Sequence, residues 1–422
     1  MLRSLDSPLD CRRTVRHAFH RTLPLKSKLG LISLAVGALC AGAARADTID
    51  ALHAFADVGY SHDNNLFRLP DASPGYDDTR GDNMRTVDAG LSFNQTYGRQ
   101  VLTAQAKVTR VNFDHFTALN YNGKDMQADW GWHLGNHLEG NLGGTYSEVL
   151  APYTDIVTNQ RNLRTQKGAY GKGAWTFHPS WRLRGSVEQN RYKYDLDIQA
   201  PNNHKDNVGE LGLDYLASSS SSVGLQMDKT QRRYDILRVV DGQQTNANSD
   251  QTDLRLRVVW RVTPVTELQF LGGHSRRTYD PLYSTHDSSG GTARLSGNTL
   301  VDGKLRVSGS VYHEFASVES SLFSYSTNTG ANAALGLDLS AKLQLQAQSS
   351  YLKRSFNGLL AASLPFDFSD RTRTNNLTLT YAPLSKLQLS ASLFRERRSG
   401  FALLGSGSYH DNGASLNLNL QY

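Results

Sequence analysis

The chain has 422 residues, 39% of them hydrophobic and 20% charged, with 45 Lys+Arg against 39 Asp+Glu. The first 46 residues hold eight of the basic and two of the acidic groups, so the remainder carries 37 of each; the sequence pI of 9.1 belongs to the leader and supports no nucleic-acid partner. Both cysteines, Cys11 and Cys40, fall in that leader, which excludes disulfides, thiolate metal sites and a cysteine nucleophile from the rest and suits an oxidising compartment.

The leader reads as a secretory signal. Arg12, Arg13, Arg16, Arg21, Lys26 and Lys28 precede an apolar run from Leu29 to Cys40, and Ala44-Arg45-Ala46 supplies a small-x-small cleavage site, so the mature chain is expected to begin at Asp47. The run is too short for a permanent membrane helix. Lipidation of Cys40 is disfavoured because Leu39 stands where a small residue is wanted. Residues 1–46 are thus expected to be removed, leaving 47–422 as one domain.

From there the chain alternates with period two. Val87, Ala89, Leu91 and Phe93 interleave with Asp88, Gly90, Ser92 and Asn94, and Leu102, Ala104, Ala106 and Val108 follow with polar residues between them. Met126, Ala128, Trp130 and Trp132 come next, then Leu138, Leu142 and Tyr146. The same pattern returns at Leu254, Leu256, Val258 and Trp260, at Leu335–Leu345, at Leu377–Leu393, and at the end in Leu416, Leu418, Leu420 and Tyr422. Side chains alternate across a strand, so each segment has one greasy and one wet face. Segments of roughly ten residues are what a tilted strand needs to cross a bilayer.

Connections alternate in length. Short turns near 97–100, 135–137, 178–181, 218–222, 263–266, 301–304, 340–342 and 382–386 separate longer polar stretches. Eight turns and nine loops predict an all-β, antiparallel, up-and-down barrel of about 18 strands (16–18) in the outer membrane, with both termini periplasmic. The last strand, Leu416 to Tyr422, is expected to close the barrel against the first, since an open edge is not tolerated in hydrocarbon.

The wet faces carry charge: Lys107, Arg182, Arg184, Arg255, Arg257, Arg261 and Arg306 are the residues expected to line the lumen. Charge at this density is costly in a dry core but acceptable against water. Trp130, Trp132, Trp175, Trp181, Trp260 and Tyr422 suit aromatic girdles on the lipid side. Basic residues recur at loop roots, in Arg232-Arg233, Arg276-Arg277, Lys353-Arg354, Arg395 and Arg397. They read either as contacts to lipopolysaccharide phosphates or as a positive funnel for an anionic or hydroxyl-rich solute. In the second reading, arginine–tyrosine neighbours such as Arg191, Tyr192 and Tyr194, or Arg277 and Tyr279, suit sugar chains. No Gly-x-Ser-x-Gly elbow, His-Glu-x-x-His or phosphate loop is present. His286-Asp287-Ser288 reads as a solvated loop. His62-Asp63-Asn64-Asn65 lacks the ligand spacing of a calcium loop and reads as a structural turn. No catalytic residue, cofactor or metal is expected.

Near the mature start lies Tyr60-Ser61-His62-Asp63-Asn64-Asn65-Leu66-Phe67-Arg68. Its Tyr60, Asp63, Asn65, Leu66, Phe67 and Arg68 resemble the opening of the EpsL family, outer-membrane proteins of exopolysaccharide operons. The resemblance implies a channel that guides a polysaccharide outward, partnered by periplasmic and inner-membrane polysaccharide machinery. The barrel-assembly machinery, outer-membrane lipid and lipopolysaccharide are the other expected partners. The rival readings are a general porin for small solutes, an outer-membrane enzyme and an adhesin.

Overall fold

The computed structural model describes residues 51–154, 158–240, 243–245, 248–279, 287–318, 325–357, 368–400 and 407–422. The signal segment, its cleavage site and His286 lie outside them. Eighteen strands form the wall: β1 (Leu52–Asp63), β2 (Asp82–Tyr97), β3 (Gln100–Phe113), β4 (Tyr121–Leu134), β5 (Leu138–Leu150), β6 (Leu163–His178), β7 (Trp181–Tyr194), β8 (His204–Leu216) and β9 (Ser222–Tyr234), then β12 (Ser249–Thr263), β13 (Thr266–Tyr279), β14 (Ser288–Val301), β15 (Leu305–Ser317), β16 (Tyr325–Asp338), β17 (Leu343–Asn357), β18 (Ser369–Leu384), β19 (Leu387–Gly400) and β20 (Tyr409–Gln421). A small hairpin, β10 (Arg238–Val240) with β11 (Gln243–Thr245), stands apart in the connection between β9 and β12.

Each wall strand pairs antiparallel with its chain neighbours, and β20 pairs with both β19 and β1, at registers that include Ala56↔Leu420 and Val58↔Leu418. The barrel is therefore closed and has no free edge. Beyond the last paired strand residue, the backbones of Ala54 and Tyr422 exchange two hydrogen bonds, 2.8 and 3.0 Å. Both ends of the wall lie on the short-turn side: Leu52 faces Phe93 near the β2–β3 turn, and the Gln421 backbone N–H donates to the Lys386 carbonyl (2.9 Å).

The faces follow the alternation. Val87, Leu91, Val108, Leu142, Leu225, Leu256, Leu393 and Leu416 point outward and are exposed, which is the required state for residues that meet lipid. The outward tryptophans gather at one side: Trp130, Trp132, Trp175, Trp181 and Trp260 sit beside short turns and Tyr422 at the chain end, while outward tyrosines such as Tyr60 and Tyr351 lie nearer the long connections. Leu256→Arg should therefore cost about 2–4 kcal/mol, the expense of a cation on the lipid face near the midplane. The measurement is the heat-modifiable folded band in outer-membrane fractions, and a wild-type amount would show the face to be misassigned.

The strand ends away from the short turns are joined in sequence by nine longer segments, numbered here L1 (64–81), L2 (114–120), L3 (151–162), L4 (195–203), L5 (235–248), L6 (280–287), L7 (318–324), L8 (358–368) and L9 (401–408), of which L6 to L9 lie largely outside the described residues. Among the described residues the buried apolar cluster is found here rather than mid-wall: Leu66, Phe67 and Leu69 of L1, Leu119 of L2 and Tyr153 of L3 pack on Val111 and Phe113 of β3.

Candidate functional site

Val111 and Phe113 continue the inward-facing row of Lys107 and Thr109, so the apolar cluster lies inside the mouth and L1 folds into the barrel. The geometry comes from the residues singled out near the start of the chain. Asp63 accepts the Asn65 backbone N–H (2.8 Å) in an Asx-type turn. The Asn65 amide then bridges two backbones, donating to the Leu69 and His410 carbonyls (2.9 and 3.0 Å) while accepting the Leu69 N–H (2.9 Å). Phe67, 1% exposed, is surrounded edge-on by Tyr76, Phe116 and Tyr153 at 4.7–5.0 Å.

Arg68 fastens the loop to the wall. It adopts a positive φ of 56° and pairs with Asp63 (2.9 Å), Asp411 (2.8 Å) and Glu396 (3.6 Å). Burial alone would lower its pKa, but these three carboxylates outweigh that and raise it, so the guanidinium stays charged. Arg398 of β19 is buried, pairs with Asp370 (2.7 Å), and donates to the Thr154 carbonyl of L3. L1, L2 and L3 thus form one packed assembly reaching from β3 to β19. Of the six motif residues, Tyr60 alone takes no part: it faces outward and is exposed. Asp63 is engaged by Arg68 and by the turn, as a structural reading of that stretch requires.

Below the mouth the wall is polar. All seven residues expected in the lumen face inward: Lys107, Arg182, Arg184, Arg255, Arg257, Arg261 and Arg306. They do not make it basic, because the neighbouring strand sets a carboxylate against nearly every one. Arg182 and Arg184 share Asp214 (2.9 and 2.7 Å), and Arg184 also holds Glu210. Arg255 binds Asp228, Arg261 binds Glu267 (3.1 Å), Arg306 binds Asp338 (2.7 Å) and Lys107 lies 3.8 Å from Asp88. The basic lining expected from the arginines is therefore corrected to an ion-paired one. Arg257 differs from the others: Asp214, 3.8 Å away, already serves two arginines, and its buried Nη1 has no hydrogen-bond partner.

Midway along β16 to β20 the inward positions are uncharged, held by residues such as Asn332, Gln346, Gln348, Asn376, Ser392 and Asn419, with Asp338, Arg354, Asp370, Glu396, Arg398 and Asp411 nearer the strand ends. Gln127, Ser308, Gln346 and Gln348 point inward and are exposed, so water reaches the middle of the barrel.

The loop-root pairs are split by alternation. Arg232, Arg277 and Arg354 turn inward, to Asp206 (2.7 Å), Gln251 (2.6 Å) and Asp370 (2.6 Å), while Arg233, Arg276, Lys353, Arg395 and Arg397 turn outward. Of the arginine–tyrosine neighbours, Arg277 and Tyr279 meet in a hydrogen bond, whereas Arg191 is separated from Tyr192 and Tyr194. Tyr192 and Tyr194 are buried, Tyr192 stacked on His204 (4.6 Å), and the Asn203 amide oxygen of L4 accepts the Tyr194 N–H (2.7 Å). Arg191, on the other face, pairs with Asp235 (2.9 Å). Among the described residues no three His, Cys, Asp or Glu side chains are grouped to hold a metal ion.

No family model matches this chain, and no curated protein matches it. Among solved structures it is similar to the outer-membrane protein OpdK from Pseudomonas aeruginosa, at 10% identity and a TM-score of 0.45, over 88% of this chain and 99% of that one. It is similar to OprD from the same organism (12%, 0.45, 88% and 93%) and to OccAB3 from Acinetobacter baumannii (9%, 0.46, 88% and 99%). None of these comparisons supports the resemblance of the Tyr60–Arg68 stretch to the EpsL family.

Proposed function

We propose that the protein is a passive outer-membrane channel for small polar solutes. The observation that carries this reading is the water-exposed inward face of a closed 18-stranded wall, at Gln127, Ser308, Gln346 and Gln348. Barrels of 16–18 strands are wide enough to leave an aqueous passage. The ion pairing along β7–β13 leaves little net charge to repel either sign of ion, and the amide and hydroxyl wall opposite offers hydrogen bonds without strong binding. Guidance of a polysaccharide has less support: its stacking platforms are buried, and the packed assembly of L1, L2 and L3 narrows the mouth a polymer would have to pass.

Arg257 is where a passing anion meets positive charge that the adjoining Asp214 and Glu210 do not balance, the compensating carboxylates Asp228 and Asp253 lying one row away beside Arg255. Arg182, Arg184 and Arg257 together face Asp214 and Glu210, leaving one positive charge in excess. A unit charge about 4 Å from an ion in water is worth about 1 kcal/mol, or roughly a fivefold change in local occupancy. Arg257→Gln should therefore move the reversal potential of the reconstituted barrel toward cations by an amount of that order while leaving its folded yield unchanged. Arg255→Glu should behave differently, because it sets a third carboxylate beside Asp228 and Asp253 and lowers the folded yield.

The test of the function is swelling of proteoliposomes in a series of neutral sugars of increasing size, with reversal potentials measured in parallel. Rates that fall steeply with solute size are expected. A barrel that passes neither ions nor monosaccharides would refute the proposal.

A further inference from the structure

We propose that the outward face of β16–β20 binds a phosphorylated glycolipid of the outer leaflet, with its phosphates on a cluster of five cations and an acyl chain in the groove beneath. This proposal is independent of what passes through the lumen.

The strand register assembles the cluster. Lys353 of β17 lies opposite Arg371 of β18, and one row nearer the short-turn side Arg373 lies opposite Arg397 of β19. Arg395 occupies the next row, opposite Asn375. All four arginines are exposed, and Arg373 rests over the Tyr351 ring (5.7 Å), which holds its guanidinium on the barrel surface. Like charges directly opposite one another destabilise a sheet. Elsewhere on the outer surface several cations have an acid beside them: Arg191 has Asp235 (2.9 Å), Arg233 has Asp250 (2.6 Å) and Lys124 has Glu148 (3.3 Å).

Here that compensation is missing. Among the described residues, the outward face of β16–β20 carries no Asp or Glu, because Asp338, Asp370, Glu396 and Asp411 all face the lumen. The acid at its margin, Asp71 of L1, is engaged by His410. Two facing cation pairs, one Lys–Arg and one Arg–Arg, without an acid are suited to phosphate, which guanidinium groups bind through paired hydrogen bonds.

The second observation is the surface just below. Ala333, Ala347 and Ser349 are small where their neighbours Leu335, Leu377 and Leu393 are large, and the dip between them is a groove of about 370 Å³ that reaches Arg395. It lies on the lipid side of the wall, on the short-turn side of the cations. An amphipathic molecule with an anionic head and an apolar tail fits this arrangement in one orientation, head toward the long loops. A second copy of the chain does not complement it, since two such faces meeting across a two-fold axis would set cation against cation.

The test is native mass spectrometry of the full barrel in detergent, titrated with bis-phosphorylated lipid A, its dephosphorylated form and inorganic phosphate. The phosphorylated lipid is expected to bind in preference to the other two. Arg373→Ser with Arg397→Ser should weaken it by about tenfold or more, through loss of charge-assisted hydrogen bonds. Ala347→Phe, which fills the groove and leaves every cation in place, should weaken the lipid but not inorganic phosphate. Lys167→Ser, at an outward cation remote from the groove, should change nothing. Heat-modifiable migration of each variant checks that it is folded. The proposal is overturned if the double variant binds the lipid as the wild type does, if the dephosphorylated lipid binds equally well, if Ala347→Phe has no effect, or if the same substitutions abolish a dimer mass instead.

Discussion

Deletion of Leu420–Tyr422 should abolish the folded barrel. The deletion removes the Ala56↔Leu420 and Phe55↔Gln421 pairings, together with the two backbone hydrogen bonds between Ala54 and Tyr422. It leaves the first residues of β1 and the first residues of β19 as open edges inside the bilayer, where each unsatisfied backbone group costs several kcal/mol. Tyr422→Asp is a milder lesion. It keeps the backbone pairing and loses the aromatic ring that lies 4.3 Å beneath the Lys386 ammonium. The expected order of folded protein is therefore wild type, then Tyr422→Asp, then the deletion at close to none. Detergent-resistant, heat-modifiable protein at wild-type level in the deletion variant would mean that closure does not depend on this strand.

Loss of the Arg68 side chain should open the mouth without dissolving the wall. Arg68→Ala strands Asp63, Asp411 and Glu396 together, and the first two are 4% and 0% exposed. Breaking a buried ion pair by removing one partner costs about 3–5 kcal/mol. The loop also loses the contact that holds Arg68 at positive φ, a conformation costing about 1–2 kcal/mol for a non-glycine residue. L1 should then leave the Phe67 cluster. Single-channel conductance should rise, and protease added outside intact cells should cut within 64–81. Phe67→Ala should give the same two signatures through loss of about 3–5 kcal/mol of packing. Arg68→Lys should fall between, because an ammonium cannot reproduce the planar guanidinium contacts. Unchanged conductance together with protease resistance in both alanine variants would show that L1 does not narrow the passage.

The two variants probe features of different legibility. The closing strand is visible in Leu416, Leu418, Leu420 and Tyr422, because alternation is a property of a single strand and needs no partner to be recognised. L1 is not visible in that way. Asp63, Asn65, Leu66, Phe67 and Arg68 read as a family-like opening, but their work depends on His410, Asp411, Glu396 and Tyr153, none of which lies near them in the chain. A long polar connection looks the same in sequence whether it stands out in solvent or folds into a mouth.

The lumen shows the same division. The inward direction of Arg182, Arg184, Arg255 and Arg257 follows from the leucines, valines and tryptophans between them. Their charge balance does not, since Asp214 and Asp228 reach them only through the register of adjoining hairpins. The arginines form conspicuous Arg-x-Arg pairs, whereas their acids are scattered singly, and this made the lining look basic. Register was the available signal: counting back from the turn at 217–221 and forward from the short turn near 178–181 sets Asp214 against Arg182.

The sequence by itself determined the class of fold, the strand number, the side of each residue and the strand that closes the wall. These depend on alternation and turn spacing, which are local and steric. Only the tertiary structure decided that L1 enters the mouth, that the lumen is ion-paired and that Arg257 carries the excess charge. It alone placed five outward cations above one apolar groove. Each of these is a relation between side chains on different strands, and its energy depends on distance in space, set only when the register and closure of the whole barrel are in place.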